Sequence, residues 1–187
     1  MPGFIPLTLT RQLLRDARAA QAAGQFRGAG VGGRDGLRVD ALVRGDATRW
    51  LDGAQATPAE RACLEQLEAL RAVLNRELQL GLFALEAHFA VYASGTFYRR
   101  HKDRPHSSDA RIVSCVLYLN EDWAIAHGGA LRLYLDNSSN ASCRDFYPEA
   151  GRLVVFLSER FWHEVLPTQR ERYSVTAWFS RRSILPQ

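Results

Sequence analysis

From Leu82 onward the apolar residues fall at every second position, in short runs broken by turn signals. Phe83, Leu85, Ala87, Phe89 and Val91 alternate with Glu86, His88 and Tyr92. A strand sends successive side chains to opposite faces, so this alternation describes a half-buried strand rather than a helix. Gly95 makes a turn into a strand over 98–103. The polar stretch 104–110 contains Pro105 and is a loop. Further strands follow over 111–119, over 130–135 after Gly128-Gly129, over 152–157, near His163, and over 172–180, with a turn region at 136–141. Strands at this spacing, with turn residues between them, predict a sandwich or barrel.

Two helices come first. Leu13, Leu14, Ala17 and Ala20 recur at helical spacing within 7–23, with Thr8 or Thr10 available as a cap and Gly24 as a stop. Thr57-Pro58-Ala59-Glu60 is a stronger start. Thr57 can accept from a free N–H, Pro58 suits the first helical position, and Glu60 completes a capping box. Cys63, Leu64, Leu67, Leu70, Leu74 and Leu78 then form one stripe, ended by Gly81. Helices followed by many strands give an α+β order, mainly β, with the helices bracing one sheet. Between the helices, glycines at 28, 30, 32, 33 and 36 predict a mobile loop over 30–56. Trp50 at its end needs a surface on which to bury its ring, so this end of the loop is expected to dock.

The 187 residues suit a single domain over 1–187, with 1–81 as helical support and 82–180 as the β core. A 47% apolar content is enough for a packed core, which excludes a disordered chain. The net charge of +4 is modest; it favours an acidic partner slightly and gives no case for nucleic acid. Of the 24 basic residues only Lys102 is lysine, a bias that points to a GC-rich, bacterial genome. Cys63, Cys115 and Cys143 lack the pairing or spacing of a disulfide framework or zinc site, so a reducing cytoplasm is expected. No leader-like segment opens the chain, and no stretch has the roughly 18 apolar residues of a membrane span.

One constellation carries chemistry. His101 and Asp103 lie two apart on a strand, so an imidazole and a carboxylate project to one face. With one more histidine from elsewhere, such a pair makes the two-His, one-carboxylate facial triad of non-haem Fe(II) sites. His163 is placed to supply it, and Arg172 follows nine residues later on another strand. His-x-Asp by itself is a weak signal; the ordered set His101, Asp103, His163, Arg172 is far more specific.

The pattern resembles the Fe(II)- and 2-oxoglutarate-dependent dioxygenases, and within them the prolyl hydroxylase domain group. The resemblance runs from about residue 30 to 180 and rests on Tyr92-Ala93-Ser94-Gly95, His101-Lys102-Asp103, Tyr118-Leu119-Asn120-Glu121-Asp122-Trp123, Gly128-Gly129-Ala130-Leu131-Arg132, His163-Glu164-Val165 and the run from Arg172 to Trp178. It implies a double-stranded β-helix, a distorted jelly roll with helices on one sheet. It implies His101, Asp103 and His163 as iron ligands, and Arg172 with Tyr118 as the grip on the outer carboxylate of 2-oxoglutarate. Tyr92, Thr176 and Trp178 would line the pocket, with Leu131 and Val116 as apolar wall. Asp46, Trp50 and Arg111 would meet substrate, with Asp46 and Arg111 pairing when the loop closes. The implied reaction is O2-dependent hydroxylation of a prolyl 4-position, with release of succinate and CO2 and with ascorbate as a suggested reductant. The implied partner is a protein, with elongation factor Tu the leading candidate, and neither nucleic acid nor membrane. The chain carries no Cys/His zinc-finger extension, and its tail from 181 to 187 is short, so recognition by such segments is not carried over. The same chemistry on free proline or another small molecule, and a catalytically silent jelly-roll binding module, are the alternatives.

Overall fold

The computed structural model describes residues 1–30, 40, 42–103, 111–136, 138 and 142–181. The predicted loop at 104–110, most of the glycine-rich segment 31–41, part of the turn at 136–141 and the tail beyond 181 lie outside the described residues. The elements are α1 (Leu7–Ala22), β1 (Arg27–Gly28), β2 (Asp46–Trp50), α2 (Pro58–Leu78), β3 (Leu82–Tyr92), β4 (Tyr98–His101), β5 (Arg111–Tyr118), β6 (Leu131–Tyr134), β7 (Cys143–Phe146), β8 (Leu153–Leu157), β9 (Trp162–Val165) and β10 (Arg172–Arg181). They form a six-stranded sheet in the order β1-β2-β3-β10-β5-β8 and a four-stranded sheet in the order β4-β9-β6-β7. Every paired strand runs antiparallel to its neighbour. No helix among the described residues is long and apolar enough to cross a membrane.

The alternation along β10 explains the layering. Tyr173, Val175, Ala177 and Phe179 face the helices, where they meet Leu117, Cys115 and Val113 of β5 and Val91, Phe89 and Ala87 of β3. Leu13, Leu14 and Ala17 of α1 and Cys63 and Leu67 of α2 complete that layer. Each large aliphatic side chain buried there contributes about 1.5–3 kcal/mol. The opposite set on β10, Arg172, Ser174, Thr176 and Trp178, faces the smaller sheet. Register puts Tyr118, Val116 and Ser114 beside it on one flank and Tyr92, Ala90 and His88 on the other. Leu131, Leu133 and Val165 of the smaller sheet close a second, more polar core against this face.

Several details depart from the sequence reading. Neither Thr8 nor Thr10 caps α1. The cap position is Pro6, and the buried Thr10 hydroxyl donates back to the Pro6 carbonyl at 3.2 Å. The α2 start is as expected: the Glu60 N–H donates to Thr57 Oγ1 at 3.1 Å, and the Thr57 N–H donates to Glu60 Oε2 at 3.2 Å. The helix ends at Gln79, in the left-handed region with φ 52°, before Gly81. The Asn75 side chain holds both backbone groups of Leu82, so the chain must already have turned there. Leu78 and Phe83 flank that turn and are exposed rather than buried.

The larger correction concerns the loop. Residues 46–50, expected within a mobile loop over 30–56, form β2 and pair along β3 from Asp46↔Tyr92 to Trp50↔His88. The glycine count pointed to a loop, whereas ladder pairing with β3 on one side and β1 on the other holds the segment as a strand.

Candidate metal centre

His101 closes β4, and Asp103 follows two positions on. His163 sits in β9, directly opposite His101 in the ladder. Antiparallel pairing therefore brings together side chains 60 residues apart in the chain. One ligand atom from each of the three groups lies within 4.8 Å of the others. Asp103 Oδ1 is 3.6 Å from His101 Nε2 and 3.5 Å from His163 Nε2. These separations exceed ordinary hydrogen-bond lengths, so the groups converge without using up one another's lone pairs.

Their other atoms are held in place. His101 Nδ1 contacts the Arg99 carbonyl at 2.7 Å, and His163 Nδ1 contacts the Phe161 carbonyl at 3.3 Å. A carbonyl only accepts, so each Nδ1 carries the proton and each Nε2 presents a lone pair to the centre. The Ser114 hydroxyl donates to Asp103 Oδ2 at 2.6 Å and meets Ser158 Oγ at 2.8 Å, fixing the carboxylate from behind. Burial first, then the neighbouring His163, lowers the affinity of His101 for a proton. Burial alone would raise the Asp103 pKa, but His163 and His101 outweigh it and hold the carboxyl well below its usual range. A neutral imidazole and an ionised carboxylate are the forms a metal ion requires.

The rest of the inner face looks built for an acid. Arg172 is 1% exposed and has no carboxylate partner among the described residues. Its Nε donates to the Gly129 carbonyl at 2.8 Å, and its guanidinium lies 5.1 Å from the Tyr92 ring and 5.0 Å from the Tyr118 ring. A buried cation without a counter-charge is costly. Gly129, at φ 65°, makes this approach possible: a Cβ there would sit 3.2 Å from Arg172 Cδ. Tyr118 is fully buried, its hydroxyl has no hydrogen bond of normal geometry among the described residues, and burial, outweighing the nearby Arg172, pushes it up to about 12. It keeps its proton and can donate. Ser174 Oγ, on the same face, is likewise buried without a partner. Buried polar atoms left in this condition call for a polar guest. The donors fit a dicarboxylate, and the two-His, one-carboxylate set fits a ferrous ion. Phe156 packs on His163 at 4.8 Å and clusters with Tyr118 and Leu131, so both features belong to one inner core.

The remaining sequence candidates divide. Tyr92 is buried beside Arg172, Leu131 is in the apolar wall, and Thr176 is half-buried on the inner face. Trp178 is buried with its indole N–H unpartnered, beneath Arg111 at 3.7 Å. Trp50 is 54% exposed, but its ring meets His88 at 5.1 Å and Trp178 at 6.2 Å. Asp46 and Arg111 do not pair. Asp46 is buried and held by Arg44 through two hydrogen bonds of 2.6 and 2.9 Å, while Arg111 pairs with Glu86 at 2.9 Å. Ser114 and Ser158 were missed. Ser114 could have been found, since it alternates with Val116 and Tyr118 on one strand; Ser158 follows a strand end and carries no signal.

The 2OG-Fe(II) oxygenase superfamily model matches residues 87–180. A Pseudomonas putida prolyl-4-hydroxylase of known crystal structure is 43% identical, with a TM-score of 0.87, covering 98% of this chain and 91% of that one. A Trichoplax adhaerens prolyl hydroxylase, solved with a hypoxia inducible factor peptide fragment, is 26% identical with a TM-score of 0.86, covering 100% of this chain and 86% of that one. Mouse prolyl hydroxylase EGLN3 is 34% identical over 149 residues, covering 73% of this chain. The chain spans 59% of the length of that curated relative.

Proposed function

From the premise that the chain belongs to the 2OG-Fe(II) oxygenase superfamily, as its relatives show, we propose that it is a prolyl 4-hydroxylase acting on a protein substrate. His101, Asp103 and His163 hold Fe(II), and Arg172 with Tyr118 holds the outer carboxylate of 2-oxoglutarate. Bound there, iron, 2-oxoglutarate and O2 supply the oxidising chemistry that converts C–H to C–OH, with release of succinate and CO2. The chain's own part is binding, orientation and exclusion of water. The observation that carries the reading is the buried Arg172, without a carboxylate partner among the described residues, on the inner face that also packs against the convergent His101, Asp103 and His163. Guanidinium meets carboxylate through two parallel charged hydrogen bonds, a match lysine cannot make. The phenol of Tyr118 adds a third donor. Tyr92, Thr176, Trp178 and Leu131 shape the pocket, and the exposed Trp50 with Arg111 offers an aromatic and cationic surface to substrate.

A polypeptide substrate is favoured by two relatives named for prolyl hydroxylation, one of them bound to a peptide. Elongation factor Tu, an acidic protein, is the leading partner by resemblance, and the +4 charge is compatible with it. The test incubates the chain with Fe(II), 2-oxoglutarate, O2 and elongation factor Tu, and in parallel with free proline. Mass mapping is expected to find one added oxygen on a prolyl residue of the protein and none with the Asp103→Ala variant. Turnover of free proline alone would replace the substrate assignment. Anaerobic addition of Fe(II) and 2-oxoglutarate that leaves the protein colourless would favour a silent binding module and end the proposal.

A further inference from the structure

We propose that Arg44 and Asp46 are positioning residues for the metal centre, acting on His101 through the ring of Tyr98. The inference rests on His101 being a metal ligand.

The four groups form one stack. Asp46, 4% exposed, takes the Arg44 guanidinium through both carboxylate oxygens, which fixes the plane of the cation. The Arg44 Cζ atom lies over the Tyr98 ring, 4.7 Å from its centre. Tyr98 in turn lies on the His101 imidazole, with centroids 3.5 Å apart and planes 17° from parallel. The Arg99 carbonyl fixes the Nδ1 edge of His101, but one hydrogen bond leaves the ring able to rock about it. The Tyr98 face removes that freedom, and Arg44 packs over the Tyr98 ring.

The backbone delivers the stack as a unit. Arg44 bridges Tyr98 in antiparallel fashion, the Gly45 N–H donates to the Phe97 carbonyl at 2.9 Å, and the Arg99 N–H donates to the Val43 carbonyl at 2.9 Å. Gly45 is needed for this approach, because a Cβ there would sit 2.7 Å from Thr96 Cβ. The segment 43–46 therefore runs from the large sheet, through β2, onto the strand of the small sheet that ends in His101. With both its oxygens engaged and its side chain buried, Asp46 is occupied as a brace for Arg44. The geometry of one ligand is thus set by a segment far from it in sequence. Partners that orient a ligand from behind are worth roughly 10- to 100-fold in metal affinity.

The test titrates Mn(II) into the metal-stripped full chain and reads binding by calorimetry, without turnover. His101→Ala is expected to abolish binding at the site, which tests the centre itself. Arg44→Gln and Tyr98→Leu are expected to weaken Mn(II) binding by roughly tenfold or more. Tyr98→Phe keeps the stacked ring and is expected to stay within about twofold of the wild type. If Arg44→Gln and Tyr98→Leu bind as the wild type does while His101→Ala does not, the positioning role is overturned and the centre stands. If the wild type itself fails to bind, the centre and the inference fall together. Unfolding curves in EDTA report whether each variant is folded. Where Arg44→Gln is not, the near-isosteric Asp46→Asn is judged by the same tenfold criterion.

Discussion

At Arg172 the sheet buries a positive charge with tyrosine rings on either side, its Nε donating to the Gly129 carbonyl and no carboxylate beside it among the described residues. A lysine would keep the charge and lose the fork. Arg172→Lys is therefore expected to raise the 2-oxoglutarate concentration needed for half-saturation by roughly 10- to 100-fold, about 1.4–2.8 kcal/mol. Mn(II) binding should change little, because the metal ligands lie on other strands. Titration of each ligand separately checks both halves. His88 offers a pH dependence. Burial lowers its pKa from 6.5 to about 4, overriding the Phe89 carbonyl that its Nδ1 contacts. Between those values the unfolded chain binds a proton that the folded chain refuses, so stability falls as pH drops through the window. The full effect is about 3 kcal/mol, present below pH 4 and absent above 6.5. Urea unfolding at pH 7 and pH 4.5 should show a smaller loss for His88→Gln than for the wild type. The residue types of the candidate centre were legible in the sequence, but the strand expected over 98–103 ends at His101, so Asp103 reaches the centre from just beyond it rather than by strand alternation. The partners of His101 were less so: Arg44 and Asp46 carry no local mark of what they brace.

The elements show where local rules suffice. Thr57, Pro58 and Glu60 set the start of α2 through contacts within four residues, and the helix begins where they say. Glu60 does more than cap. Fully buried, it also pairs with Arg49 of β2, so one carboxylate ties a helix to the large sheet. Glu60→Ala leaves a partly buried guanidinium without its partner and removes the capping box. Breaking such a pair costs about 3–5 kcal/mol, a drop of roughly 6–20 °C in melting temperature for a domain of this size. The variant's residual folded fraction should still bind Mn(II). Thermal unfolding with and without Mn(II) checks both points. Strand β2 shows the opposite case. Its place between β1 and β3 is decided by ladder pairing, which nothing within its five residues announces.

Across the whole molecule, the centre joins the two sheets: His101 and His163 come from the smaller one, while Tyr118 and Arg172 come from the larger. Ligands held between them bind only when both sheets are assembled, so they should stabilise the fold as a unit. Mn(II) and 2-oxoglutarate together, at about a hundredfold over the dissociation constant, are expected to add about 2.7 kcal/mol. For a chain of this size that is roughly 5–11 °C in melting temperature, reversed by EDTA. A rise with Mn(II) but no further rise with 2-oxoglutarate would remove the acid from the space beside Arg172.

By itself the sequence determined the sheet-forming pattern, the start of α2, and the residue types of a two-His, one-carboxylate candidate metal centre. Those follow from alternation, capping and spacing, which act over a few residues. Only the tertiary structure decided that Asp46 belongs to Arg44 rather than Arg111, that β2 is sheet rather than loop, and that Tyr98 lies flat on His101. The β2 pairing joins segments far apart in the chain, and the two local pairs, Arg44 with Asp46 and Tyr98 with His101, are brought together by the bridge of Arg44 to Tyr98, so register across the ladder chooses the neighbour.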